Sequence, residues 1–380
     1  MDVTKFAIPE VIFGKNSLDY LVPCAQRNGA KRVLLVSDPG LEDAGWVECL
    51  VDKLDQAGMH WAYFSDVSSN PRDSQIHRGA EFYASQRADV VIALGGGSPM
   101  DLAKGIALIA SNGGRIRDYE GANRIQYPLP PMIFIPTTAG SGADISQFAI
   151  VTDEERKVKM SIISRTLVPN ISIIDPNFLQ TKPEWLIKAS AIDALSHAVE
   201  AYVSVLASPF TEMQSLKAIE LVVKNLEEAV RTKSLQSLSK LSIASTAAGM
   251  AFSNASLGVD HAIAHSLGGE FDVMHGHVHP VLLPAVMRFN LQACPEKMAM
   301  IGEIITDERL STDEETAIRG IEALEDFFSR LDIAMKLADL VDDRHKISDI
   351  CDLAVKDACV LTNPRSVSKE DCQAICEEVW

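Results

Sequence analysis

From Arg32 onward the chain returns again and again to short runs built almost wholly of aliphatic residues. They are RVLLVS at 32–37, DVVIAL at 89–94, MIFI at 132–135 and ISII at 171–174. Each is closed by turn chemistry: Asp38-Pro39-Gly40, Gly95-Gly96-Gly97, Pro136 and Asp175-Pro176. A strand with one wet face alternates apolar and polar residues. A strand that is apolar on both faces must be covered on both. Between the runs lie stretches with helical spacing. Residues 42–57 place Trp46, Leu50, Val51 and Leu54 on one face, and 74–87 is a second such stretch. A shorter strand-like run, 61–64, ends at Ser-Ser-Asn-Pro (68–71). Buried strands alternating with helices predict a parallel sheet sandwiched by helices.

After Thr181 the texture changes. Strand-like runs stop, and helical patterns cover 184–205, 209–231, 235–253, 257–269, 280–291, 295–305, 313–330, 345–358 and 368–378. A chain of 380 residues is too long for one ordinary core. The expected organisation is an α/β domain over 1–181 and an all-helical domain over 182–380. The crevice between two such domains is a usual place for a small-molecule site.

Composition narrows the function classes. The net charge of -17 repels phosphate backbones and speaks against nucleic acid as a partner. An anionic ligand must then be held by local backbone amides. The opening MDVTKFAIPEVIFG has no basic region followed by an apolar one, so no leader is read there. No run reaches the roughly 18 apolar residues of a membrane span. Seven scattered cysteines, an odd number, read as reduced thiols in a cytoplasm. Cys372 and Cys376, four apart, read as small buried side chains on one helix face.

The stretch DVVIALGGGSPMDLAK (89–104) is a strand, three glycines, a serine and a helix expected to begin at Pro99. Glycines allow close backbone approach, and a helix start offers free N–H groups, so the turn suits a pyrophosphate. It is not G-x-G-x-x-G, because Met100 stands where the third glycine would be. A bare strand-to-helix turn is the competing reading. IPTTAGSGADIS (135–146) also follows a strand and carries hydroxyls on small residues. Two such loops at the ends of parallel strands make a phosphate crevice. Asp38, ending the first aliphatic run, can accept from ribose hydroxyls and would repel a 2′-phosphate, which favours NAD over NADP. It is also a good turn former.

The second concentration of chemistry is HAIAHSLGGEFDVMHGHVHP (261–280), holding five of the nine histidines. His261 and His265 are four apart on a helical pattern, and His275 follows a glycine-containing segment. In AIDALSHAVEAY (191–202), Asp193 and His197 are four apart on an otherwise apolar helix, hence on one face. A carboxylate and an imidazole on a buried helix need a partner. Either pair alone could be a structural hydrogen bond. Together, one aspartate and three histidines make a mixed O/N site for a divalent first-row metal.

These pieces in this order, GGGSPMDLAK, PTTAGSGAD, VTDEERKVKM (151–160), DALSHAVEAY and HAIAHSLGG followed by HG, resemble the iron-dependent (group III) alcohol dehydrogenases. The resemblance runs from FAIPEVIFG (6–14) to NPR (363–365). It implies an N-terminal Rossmann-like domain with a parallel sheet and a C-terminal helical domain, the dehydroquinate synthase-like architecture. It implies Asp193, His197, His261 and His275 as metal ligands, with Fe2+ usual and Zn2+ used by some members. His265 would lie near the nicotinamide and substrate without binding metal, as the candidate relay for the alcohol proton. Gly96, Gly97, Ser98 and Asp101 would face the pyrophosphate. Thr137, Thr138 and Ser141 would line the dinucleotide, with Lys159 nearby and Asp38 and Asn70 on the adenosine side.

The implied reaction is NAD(H)-dependent interconversion of a small alcohol and its aldehyde or ketone, the metal acting as a Lewis acid on the substrate oxygen. A homo-oligomer, dimer or higher, is implied too. The competing readings are a zinc-dependent glycerol or polyol dehydrogenase, a metal-dependent lyase of the dehydroquinate synthase type, and a non-catalytic nucleotide-binding protein on the same fold. Two departures stand out. Asp144 occupies a position where glutamate is common, and His277 and His279 follow His275-Gly276 where many members carry small or apolar residues and then asparagine. These extra imidazoles are expected near the metal as hydrogen-bond donors behind it, as a polar pocket wall, or at the surface.

Overall fold

The aliphatic runs become the middle of a sheet. The computed structural model describes residues 5–380, so the first four residues of the expected leader-free start and of the expected 1–181 domain lie outside the described residues. The chain divides into two compact units. One is Ala7–Lys182; the other is Pro183–Trp380 together with residues 5–6. Phe6 lies against Phe210, ring centroids 5.8 Å apart, which ties this short segment to the helical unit.

The α/β unit carries strands β1 (Glu10–Phe13), β2 (Arg32–Val36), β3 (His60–Phe64), β4 (Val90–Gly95), β5 (Gly121–Ala122), β6 (Met132–Pro136), β7 (Phe148–Asp153), β8 (Val158–Ile163) and β9 (Ile171–Ile174). Its helices are α1 (Leu21–Arg27), α2 (Pro39–Asp43), α3 (Trp46–Gln56), α4 (Asp73–Ser85), α5 (Gly97–Asn112) and α6 (Asn177–Gln180). Six strands pair in the order β1-β9-β6-β4-β2-β3, all parallel. The four inner strands are the four aliphatic runs. Alternation along them feeds two cores. Leu34, Val36, Val91, Ala93 and Phe134 point to one face, and Val33, Leu35, Ile92, Leu94, Ile133 and Ile135 to the other. Each such side chain, taken fully from water, contributes about 1.5–3 kcal/mol.

The helical stretch expected over 42–57 is interrupted. Gly45 adopts φ 77°, a left-handed conformation that ends one helix and starts the next. The segment VTDEERKVKM is a hairpin of β7 and β8, paired antiparallel, with Lys157 in the left-handed region at its turn.

The second unit carries α-helices and, among the described residues, no strand: α7 (Glu184–Val203), α8 (Pro209–Thr232), α9 (Leu235–Ala255), α10 (Val259–Phe271), α11 (His275–Leu291), α12 (Pro295–Thr306), α13 (Asp313–Arg330), α14 (Ile347–Ala354) and α15 (Lys369–Glu378). One boundary matters for function. The helix expected from Pro280 starts at His275, so Pro280 and Pro284 both lie inside α11. The missing Pro280 N–H would have bonded the carbonyl of Gly276. At Gly276 a Cβ would sit 2.5 Å from the Ala189 carbonyl oxygen. That glycine therefore lets α11 lie directly on α7, one turn from Asp193. Among the described residues no helix is long and apolar enough to cross a membrane.

A similar glycine contact joins α12 and α13. A Cβ on Gly320 would stand 2.3 Å from the Gly302 Cα, a backbone atom that cannot step aside. Gly320→Ala is expected to destabilise the protein by about 1–3 kcal/mol through overpacking. A thermal melt checks this, and an unchanged transition would mean the two helices are free to separate.

Candidate functional site

Helix α7 is buried almost all round from Ala191 to Val203, yet it carries Asp193, His197 and Glu200 on the spacing of one face. Helix α10 brings Asp260, His261 and His265. Helix α11 brings His275 and His279, which are four apart and so side by side, because the helix begins before them. One ligand atom each from Asp193, His261, His275 and His279 lie within 4.8 Å of one another.

Asp193 Oδ1 is the hub. It stands 3.4 Å from His279 Nε2, 3.6 Å from His197 Nε2 and 3.7 Å from His261 Nε2. The rings are crowded: His197 stacks on His261 at 4.4 Å, and His261 and His279 centroids are 4.3 Å apart. Asp193 Oδ1, His261 Nε2 and His279 Nε2 are all buried without a hydrogen-bond partner. An orphaned buried polar atom costs about 1–3 kcal/mol. Three of them from three helices, converging on one point, need something there to bind. Donors held about 2.1 Å from a shared cation in a tetrahedral arrangement lie about 3.4 Å apart. The spacings around Asp193 match that figure, so the donor set fits a divalent metal ion.

Carboxylates stand behind the imidazoles. His261 Nδ1 lies 2.6 Å from Glu200 Oε2, and His279 Nδ1 lies 2.8 Å from Asp260 Oδ2. Such a partner holds the proton on Nδ1 and turns the Nε2 lone pair inward. Glu200 also accepts the Asp260 N–H at 2.8 Å, at the start of α10. Gly258 permits this approach, since a Cβ there would lie 2.7 Å from Glu200 Oε1. His265 is held in the same way by Asp357, at 2.9 Å, and stacks on His275 at 5.3 Å.

The electrostatics agree. Burial pushes His197 down to about 3, partly offset by Asp193, and burial with His279 pushes His261 down to about 4. Both are therefore neutral imidazoles, the form that donates a lone pair. Burial would raise Asp193, but the surrounding histidines hold it well below the usual carboxylate range. Burial would lower His279, but Asp260 and Asp193 outweigh it and raise it to about 10. Two buried carboxylates thus call for positive charge at this point: without a metal ion the His279 ring itself carries it as a proton, and an ion bound at Nε2 would displace that proton and supply the charge instead. Burial raises Glu200 to about 7 against the backbone N–H groups that favour its charged form.

In the α/β unit, β4 and β6 are neighbours, so the glycine turn and the TTAGSG loop emerge side by side. Gly95 adopts φ +154°, and a Cβ there would meet the Pro99 ring at 2.5 Å. A Cβ on Gly96 would lie 3.2 Å from Thr138 Oγ1, and one on Gly97 would lie 3.2 Å from Ser141 Oγ. The Thr137 N–H bonds the Gly95 carbonyl at 2.8 Å. Helix α5 starts at Gly97, two residues earlier than expected, with its first N–H groups at this turn. The Ser98 hydroxyl donates to the Ser69 carbonyl, one residue from Asn70. Asp38 caps α2 by accepting the Leu41 N–H at 3.1 Å.

Asp101, expected to face the pyrophosphate, makes contacts within the α/β unit. Its carboxylate is turned into the unit, where Oδ2 accepts the Ile150 N–H at 3.2 Å and Oδ1 lies 3.7 Å from Lys104 Nζ. Burial raises Asp101 to about 6 and lowers Lys104 to about 8, each moderated by the other. Nearby charge on Lys159 also favours the Asp101 carboxylate. Asp101 is thus a buried ion-pair group that also fixes β7 to α5. Asp144 is buried as well, accepting from the Ser172 hydroxyl at 2.6 Å.

Of the two extra histidines, His277 is half-buried beside Trp185, centroids 6.0 Å apart, and His279 is fully buried at the hub. Sequence reasoning missed Glu200, Asp260 and Asp357 altogether. Glu200 had a signal: it follows Asp193 by seven residues and His197 by three, on the same helix face. Asp260 and Asp357 carried none.

A family model described as "Iron-containing alcohol dehydrogenase" matches residues 9–176, and one for the C-terminal part of the Fe-containing alcohol dehydrogenase family matches 187–380. A 1,3-propanediol dehydrogenase of Klebsiella pneumoniae is 37% identical over 381 residues, covering 99% of this chain and 98% of that one. An NAD-dependent methanol dehydrogenase of Bacillus methanolicus is 35% identical over 373 residues, covering 97% and 98%. The crystal structure of a 1,3-propanediol oxidoreductase superposes with a TM-score of 0.97 at 36% identity, over 100% of both chains.

Glu200→Gln keeps the acceptor for the α10 amides and removes the charge behind His261. Retention of a divalent cation against a chelator is expected to fall by about 10–100-fold. Metal content after dialysis measures it, and wild-type retention would show that Glu200 does not orient a ligand.

Proposed function

The chain belongs to the iron-containing alcohol dehydrogenase family and is an oxidoreductase interconverting alcohols and carbonyl compounds; from that premise we propose that it works on small alcohols with NAD(H) and a divalent cation, iron(II) foremost. The observation that carries the cation is the convergence of the partnerless Asp193 Oδ1, His261 Nε2 and His279 Nε2. Asp193, His197, His261 and His275 would hold it. When bound, the cation supplies Lewis acidity toward the substrate oxygen.

The chain's own groups do the rest. Glu200 keeps the His261 lone pair turned toward the hub. Asp357 holds His265 Nδ1, which leaves Nε2 of that ring to take the alcohol proton and return it. In the α/β unit, the amides of Gly96, Gly97 and Ser98 at the start of α5 cradle the pyrophosphate. Thr137, Thr138 and Ser141 line the dinucleotide beside them. Asp38 and Asn70 serve the adenosine side, and Lys159 stands near Asp101. The Asp38 carboxylate, still able to accept from ribose hydroxyls, favours NAD over NADP. NAD dependence in the Bacillus methanolicus relative's name supports this. The seven free cysteines fit a reducing, cytoplasmic setting.

The test is NADH oxidation by anaerobically Fe(II)-loaded protein across short aldehydes, in wild type and His261→Ala. Wild type is expected to turn over, and His261→Ala to lose bound metal and at least about 100-fold of kcat/KM together. Turnover that survives loss of the metal would refute the Lewis-acid role.

A further inference from the structure

His279 is the most buried imidazole of the cluster, with no exposed surface. Its two ring nitrogens have different environments. Nδ1 is bonded to Asp260 Oδ2 at 2.8 Å. Nε2 is buried, has no hydrogen-bond partner, and points to Asp193 Oδ1 at 3.4 Å. A charge-assisted hydrogen bond between these two atoms would close to about 2.7–2.9 Å. The longer gap matches the roughly 3.4 Å expected between two donors around a common ion. His261 repeats the pattern, with a carboxylate on Nδ1 and an unpartnered Nε2 3.7 Å from the same oxygen. His279 and His275 share one face of α11, so the element that delivers one imidazole delivers the other.

We propose that His279 is a direct ligand of the cation, binding through Nε2 beside Asp193 Oδ1 and His261 Nε2, with Asp260 as the carboxylate that fixes its tautomer. The proposal rests on the reading that this cluster holds a cation. It adds an imidazole to the four ligands named above and makes the site richer in nitrogen. Imidazole-rich sites favour the later first-row ions, so cobalt(II) and zinc(II) are expected to compete well with iron(II) here. Asp260 is a positioning residue that acts through His279.

The experiment loads anaerobic protein with cobalt(II) and reads three things: ions bound per chain, release rate into a chelator, and visible absorption of the bound ion. Wild type, His279→Asn, Asp260→Asn and His277→Asn are compared. Wild type and His277→Asn are expected to bind one ion with the same spectrum. His279→Asn is expected to release it at least about 10-fold faster with an altered absorption band, and Asp260→Asn to release it faster by a smaller factor. If wild type binds cobalt(II) and His279→Asn matches it in rate and spectrum, the proposal is overturned while the cation reading stands. If wild type binds no ion, the cation reading itself fails and this proposal with it. Should the His279 variant not fold, a cobalt(II)-loaded wild-type crystal decides. An anomalous peak within about 2.3 Å of His279 Nε2 supports the proposal. A peak bonded to the other donors and beyond about 3 Å from that atom overturns it.

Discussion

Lone pairs buried without partners are the constraint around which the helical unit is organised. Asp193 Oδ1, His261 Nε2 and His279 Nε2 come from α7, α10 and α11 and meet in the buried interior. At about 1–3 kcal/mol each, leaving them unpaired would use up a large share of a domain's net stability. Under the proposed function, a cation bound there would convert that cost into binding energy. The same logic explains the close helix contacts. Gly276 lets α11 lie on the α7 backbone, and Gly258 lets Glu200 reach the start of α10. Neither glycine performs chemistry, yet each brings a donor to within reach of the hub.

Carboxylates behind the imidazoles form a further layer. Glu200, Asp260 and Asp357 each hold one histidine by Nδ1. The pairing gives His261 and His279 a fixed direction toward the hub. It gives His265, which stacks on His275 beside the hub, a fixed tautomer as well. The same carboxylate-on-Nδ1 arrangement thus recurs behind three neighbouring rings, two of which face Asp193 Oδ1.

The inner strands were legible because they are apolar on both faces, and a parallel sheet is the arrangement that covers both. The edge strand β1 and the β7–β8 hairpin were not, since their residues are partly exposed and the hairpin turn is strongly charged. At the site, the Asp193/His197 and His261/His265 pairs were legible from their four-residue spacing. His279 carried that same spacing from His275, but Pro280 invited the reading that the helix began there. Proline in the second turn, tolerated where Gly276 packs on α7, hid the pair. The inward contacts of Asp101 to Ile150 and Lys104 were hidden for a different reason. A motif position says which residues are near a loop, and not which way a buried carboxylate turns.

Thermal unfolding with and without stoichiometric iron(II), under anaerobic conditions, tests the central claim most directly. A ligand bound by the folded state alone raises its stability by about 4 kcal/mol at a thousandfold excess over Kd. The account predicts a clear upward shift of the transition in wild type and none in Asp193→Ala. An identical transition in wild type with and without the ion would mean that the buried donors are satisfied in some other way, and would contradict it.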